Sequence, residues 1–221
     1  KSITYYDQAL VISRELGDRR GEGNHLGNLG NTYASFGEIE KAIDYYKQAL
    51  VISKELGDLR GEGNHLGNLG NAYPSLGDVK KAIEYYNQAV VIFKGIGDRR
   101  GQRNHLGNLG TAYADVGDVE KAIECYSQAF DISKEINDRR GEGNYLGNLG
   151  IVHVGLGDHE NALRHLLPGF VTLRAIKNPN AEVISNEIAE LRQKMGEGAF
   201  KALLETVVGE LGIEIPDVDW S

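Results

Sequence analysis

GEGNHLGNLGN stands at residues 21–31 and again at 61–71, GQRNHLGNLGT follows at 101–111, and GEGNYLGNLGI closes the series at 141–151. The interval is 40 residues each time, and residues 19–58 match residues 59–98 at 27 of 40 positions. A fixed period of this size predicts a stack of supersecondary units, each adding one strip to an extended surface rather than one part to an enclosed pocket. The 221 residues are therefore expected to form one elongated all-α domain.

Working outward from the repeat, Leu26, Leu29, Tyr33 and Phe36 recur at spacings of three and four, which predicts an amphipathic helix A from about Asp18 to Ser35. Gly37 breaks it. Ile39, Ala42, Ile43, Tyr46, Ala49, Leu50 and Leu56 then mark a second helix, B, which Gly57 stops. Asp18, Asp58, Asp98 and Asp138 each precede a helix A, so their carboxylates are expected to accept bonds from free N–H groups. Helix A also carries Gly21, Gly23, Gly27 and Gly30, each costing about 0.8–1 kcal/mol against alanine in a helix interior. Bare backbone makes sense for close helix packing at Gly30 and for room beside a partner at Gly27.

The pattern Leu29, Gly30, Tyr33 on helix A and Ala42, Tyr46, Ala49 on helix B resembles the tetratricopeptide repeat (TPR) over residues 1 to about 176. Its 40-residue unit is similar to LGN/Pins-type adaptors, kinesin light chains and bacterial signalling TPR arrays. The resemblance implies a right-handed superhelical solenoid of antiparallel helix pairs, with A helices lining a concave groove for peptides. It divides the chain into the second helix of a truncated repeat (1–17), units at 18–57, 58–97 and 98–137, a degenerate unit at 138–177, capping helices at 178–210 and a tail at 211–221. Function must still be argued from the groove, because the fold names no ligand.

One face of helix A collects Arg20, Asn24, Asn28, Asn31 and Ser35, opposite the leucine and tyrosine stripe. The second unit repeats it as Arg60, Asn64, Asn68, Asn71 and Ser75, and the third as Arg100, Asn104, Asn108, Thr111 and Asp115. The fourth has Arg140, Asn144, Asn148, Ile151 and Gly155. Amides carry donors and an acceptor, so such a ladder can pair with the peptide groups of a ligand, while arginines can select carboxylates. Alternatively, the asparagines bond one another between helices and the arginines pair with acids such as Glu22 or Glu55. Arginine usually occupies the place of Asn24 in the LGN/Pins pattern, and chaperone-binding TPR clamps require lysine where Gly27, Gly67 and Gly107 stand. Capture of a chaperone's acidic tail is disfavoured. Ile151 gives the expected groove an apolar end, so a ligand should bind in one direction.

Other chemistries find little support. His25, His65 and His105 form a ladder, but stacked helices lie about 8–10 Å apart and zinc needs nitrogens within about 2.1 Å of one centre. His153, His159 and His165 lack the i, i+4 spacing of a helical zinc site. Neither GxxxxGK[ST] nor GxSxG occurs, and GNLGN lies within a helix rather than after a strand. No enzyme activity, cofactor or metal is expected. Net charge is −8, which disfavours nucleic acid, and no apolar run approaches the roughly 20 residues that span a bilayer. Cys125 is the sole cysteine and replaces Tyr45 and Tyr85 on helix B; having no intrachain partner, it suits a reducing cytoplasm.

At the ends, SITYYDQALVISRELGD from Ser2 aligns with AIDYYKQALVISKELGD from Ala42, so the first half of a unit is missing and a fragment of a longer protein is expected. Pro168 is expected to interrupt the last helix B. Residues 179–195 and 197–209 predict two capping helices, with Val183, Ile188 and Leu191 on one and Phe200, Leu203, Leu204 and Val207 on the other. The tail interleaves Ile213, Ile215, Val218 and Trp220 with Glu214, Asp217 and Asp219. It would serve as a strap on the cap or as a built-in groove ligand. The primary expectation is a protein-protein interaction scaffold that holds a linear peptide segment. The alternatives are a sensor or autoregulatory arm of a larger signalling enzyme, and self-association through the N-terminal end or the tail.

Overall fold

The computed structural model describes residues 2–214, with no side-chain description for Ser2. Residues 215–221 lie outside it, and so does most of the tail expected to act as strap or ligand. The chain forms two compact units, Lys1–Val116 and Gly117–Ser221.

The first unit contains α1 (Ser2–Leu16), α2 (Arg19–Ser35), α3 (Ile39–Glu55), α4 (Leu59–Ala72), α5 (Val79–Gly95) and α6 (Arg99–Asp115). Helices A and B alternate, and each packs against the next in sequence. Asp18, Asp58 and Asp98 cap α2, α4 and α6, each accepting from the backbone N–H three residues on at 2.9–3.0 Å. Asp78 caps α5 in the same way. Between helices the chain reverses at Gly17, Gly37, Gly57, Gly77 and Gly97, all with φ between 65° and 78°, where a Cβ would be strained. Pro74 has no N–H to continue α4, which gives way at Tyr73 to a 3₁₀ turn, Tyr73–Leu76.

Close packing explains the glycines inside the helices. An alanine methyl at Gly30 would stand 2.5 Å from Tyr46 Cε1, and one at Gly70 2.5 Å from Tyr86 Cε1. Gly27 corrects the sequence reading: the room beside it is filled by the His65 ring, whose Cε1 would lie 2.7 Å from a Cβ there. His105 fills the equivalent room at Gly67. Phe36 departs from the expected buried stripe. It forms the C-cap of α2 and is 63% exposed, because the helix ends there and the chain turns away from the core.

The second unit contains α7 (Val119–Glu135), α8 (Arg139–Gly155), α9 (His159–Ala175), α10 (Asn180–Met195) and α11 (Glu197–Leu211). Pro168 does not interrupt α9, which runs through it unbroken. Tertiary packing outweighs the lost hydrogen bond here: Gly169 fits so tightly against α8 that a Cβ would lie 3.1 Å from the Gly143 carbonyl. Leu163, Leu166, Leu167 and Leu173 of α9 join Ile184, Ile188 and Leu191 of α10 and Phe200 and Val207 of α11 in one core, so the last two helices cap the unit. Val183 does not contribute to it. It is 52% exposed, and Ile184 takes the inward place, giving the register 184, 188, 191. No described helix is long and apolar enough to cross a membrane.

Candidate functional site

In the first unit the asparagine ladder is a bonded network. Asn68 Nδ2 donates to Asn31 Oδ1 at 3.3 Å, and the Tyr46 hydroxyl donates to the same oxygen at 2.9 Å. One period on, Asn108 Nδ2 and Tyr86 O–H donate to Asn71 Oδ1 at 3.2 and 2.7 Å. Each bond between asparagines joins one A helix to the next. Both lone pairs of the Asn31 and Asn71 oxygens are occupied, which leaves their exposed Nδ2 groups as donors without a protein acceptor. Tyr46 and Tyr86, read from the sequence only as packing residues, anchor this network from helix B. Burial raises both phenols, that of Tyr86 to about 12, so they remain protonated donors.

Asn24 and Asn64 are exposed and make no side-chain hydrogen bond. Asn104 accepts from Arg103 Nη2 at 2.7 Å, and Asn28 is half-buried. The arginines turn to the next unit's cap: Arg20 Nη1 lies 3.9 Å from Asp58 Oδ2 and Arg60 Nη1 2.5 Å from Asp98 Oδ2. Arg100 is exposed. Glu22 and Glu55 pair with Arg19, the neighbour of Arg20, and Arg14 completes the group at 2.8 Å from Glu22. The Arg14 hydrogen bond, joined by Arg19, holds the buried Glu22 carboxyl below its usual range. His65 and His105 sit between A helices with Nδ1 buried and unbonded, and burial pushes both imidazoles down.

In the second unit Arg140 is exposed, while Asn144 and Asn148 are half-buried. Asn144 Oδ1 accepts from Asn180 Nδ2 of the capping helix α10 at 2.9 Å. Ile151 is 37% exposed. Cys125 is buried, and desolvation raises its thiol to about 11, which leaves it protonated and unreactive at neutral pH. Among the described residues, no three His, Cys, Asp or Glu side chains are placed to hold a metal ion.

Tetratricopeptide repeat models match residues 1–55 and 101–167, more than half of the chain, and another matches residues 66–92. No curated protein sequence matches. Among solved structures, BtubC (BKLC) from P. vanneervenii superposes with a TM-score of 0.78 at 16% identity, covering 99% of this chain and 94% of that one. A kinesin light chain-like protein of Podosopora anserina with nearly identical TPR-like repeats gives 0.67 at 19% identity over 86% and 94% of the two chains. A Rap protein complexed with competence and sporulation factor gives 0.65 at 23% identity; the match covers 95% of this chain and 59% of the Rap protein. At these identities the likeness is one of fold.

Proposed function

The chain belongs to the tetratricopeptide repeat family, and from that premise we propose that it is a non-catalytic scaffold holding a linear segment of a partner protein against the asparagine faces of its A helices. The observation that carries this reading is the double acceptance at Asn31 and Asn71. Each oxygen is pinned by a tyrosine and by the next unit's asparagine, so the outward N–H groups are oriented before any ligand arrives. Preorganised donors spaced along a surface suit the carbonyls of a peptide backbone and lower the ordering cost of binding. Asn24, Asn64 and Asn104 extend the face of the first unit, with Asn28, Asn68 and Asn108 along its line, and the second unit has a face of its own with Asn144 and Asn148. Arg20, Arg60 and Arg100 form the basic edge of the first unit's face, and Arg140 has the same place in the second. The cap carboxylates already engage Arg20 and Arg60, so these two serve the stack first and a ligand second.

Peptides selected from a random library on the 221-residue chain test the reading. An Asn24→Ala/Asn64→Ala variant removes two exposed amides without breaking an internal bond. Affinity for the selected peptides should drop about tenfold, equivalent to about 1.4 kcal/mol; unchanged affinity would refute the assignment. A second reading, the sensor arm of a larger signalling protein, draws on the likeness to part of a Rap protein complexed with competence and sporulation factor. There the selected peptide would also alter the activity of a domain joined to the array.

A further inference from the structure

His153 and His165 are twelve positions apart, yet the α8–α9 hairpin lays their rings together with centroids 5.2 Å apart and planes 3° from parallel. The same hairpin position in the first unit holds Tyr33 on Tyr45 at 5.2 Å and Tyr73 on Tyr85 at 5.4 Å. Lys41 and Lys81 lie 5.2 and 5.1 Å over the Tyr33 and Tyr73 rings. His153 and His165 follow Tyr33 and Tyr45 by 120 residues, three periods of 40, and Asn161 takes the place of Lys41. The fourth hairpin thus keeps the stack but exchanges two phenols and a cation for two titratable rings without one.

The His165 ring is oriented by a hydrogen bond, whereas His153 Nδ1 is buried without one. His165 Nδ1 lies 2.7 Å from the Asn161 carbonyl, which can only accept, so this nitrogen carries the hydrogen and Nε2 keeps its lone pair. His153 Nδ1 lies 3.4 Å from Asp158 Oδ2. Asp158 also caps α9, accepting from Asn161 N at 3.2 Å and Asn161 Nδ2 at 2.7 Å. A shared metal is ruled out by the stack. It would have to lie near the plane of each donor ring at about 2.1 Å from nitrogen, and parallel stacked planes do not meet.

We propose that His153 and His165 form a proton-operated latch, holding the α8–α9 hairpin closed while both rings are neutral and loosening it when both are charged. A charge on His153 would face Asp158, whose carboxylate already accepts from Asn161 at the start of α9. A charge on His165 would face a like charge across the stack. The groups acting on His165 are His153 of α8 and Asp158 of the turn. Burial lowers this imidazole most and His153 lowers it further, against the opposing pull of the Asn161 carbonyl and Asp158. The open hairpin therefore binds protons first, and closure weakens as pH falls below about 6.5 but not above it.

The test is a His153→Tyr/His165→Tyr variant, which installs the pair that the first unit already uses. Amide exchange in α8 and α9, corrected for its intrinsic pH dependence, is compared between about pH 7.5 and 5.5. Opening of wild-type α8 and α9 should rise at least about threefold, while the variant changes less than about 1.5-fold. An equal rise in both, or none in the wild type, overturns the latch. NMR titration of the wild-type rings provides a second readout that does not depend on the double variant folding. The His165 titration must move when His153 is replaced by Gln, and two independent titrations overturn the proposal equally.

Discussion

Arg60 Nη1 lies 2.5 Å from Asp98 Oδ2, while Asp98 Oδ1 accepts the Gly101 N–H at 2.9 Å. One carboxylate thus caps its own helix and clamps the arginine of the preceding unit. Asp98→Ala loses both roles and should destabilise by about 1–2 kcal/mol. Arg60→Ala loses only a partly exposed ion pair and should cost below about 1 kcal/mol, less in high salt. Urea unfolding at low and high ionic strength separates the two.

Asn31 accepts the Tyr46 hydroxyl and the Asn68 amide, so Asn31→Ala strands two donors. Tyr46 is buried, which sets the cost at about 1–3 kcal/mol by chemical denaturation. Asn24→Ala, with no internal bond to lose, should fall within about 0.5 kcal/mol of wild type.

Glycine substitutions should split in sign. Gly30→Ala drives a methyl to 2.5 Å from the Tyr46 ring and should destabilise by about 1–3 kcal/mol. Gly209→Ala, within α11 and with nothing inside 4 Å, should raise stability by about 0.5–1 kcal/mol. Thermal melting of the two variants distinguishes packing from propensity.

His65 and His105 are held neutral by burial, so the unfolded chain takes up protons before the folded one does. Their effect is absent above about pH 7 and grows as pH falls through 6.5 towards their lowered values. His105→Tyr, using the residue that stands at Tyr145, should flatten the acid side of the first unit's stability curve, measured by exchange in α4–α6.

Much of this was legible in the sequence because it repeats. Asp18, Asp58 and Asp98 stand one residue before periodic helices, and Gly30 recurs where Tyr46 must approach. What escaped depends on three-dimensional register. Bonds from Asn68 to Asn31 span 37 residues, one helical turn short of the period, and sequence spacing alone did not choose between solvent and neighbour. Gly27 looked like open space because the ring that fills it belongs to His65, in another helix. Val183 and Ile184 are both apolar, and only the seating of α10 on α9 decides which faces inward. His153 and His165 look unrelated until a hairpin stacks them.

The 37-residue offset has one more consequence. Each bond between asparagines of the ladder runs from the Asn28 position of one repeat to the Asn31 position of the repeat before, so excising residues 59–98 would set Asn108 where Asn68 now stands, within reach of Asn31, and Asp98 would leave together with Arg60. Loss of that whole 40-residue unit keeps an amide for the Asn31 acceptor, whereas a deletion of 39 or 41 residues would rotate the first amide after the junction off it. The array is thus free to vary in reach while its register stays unforgiving.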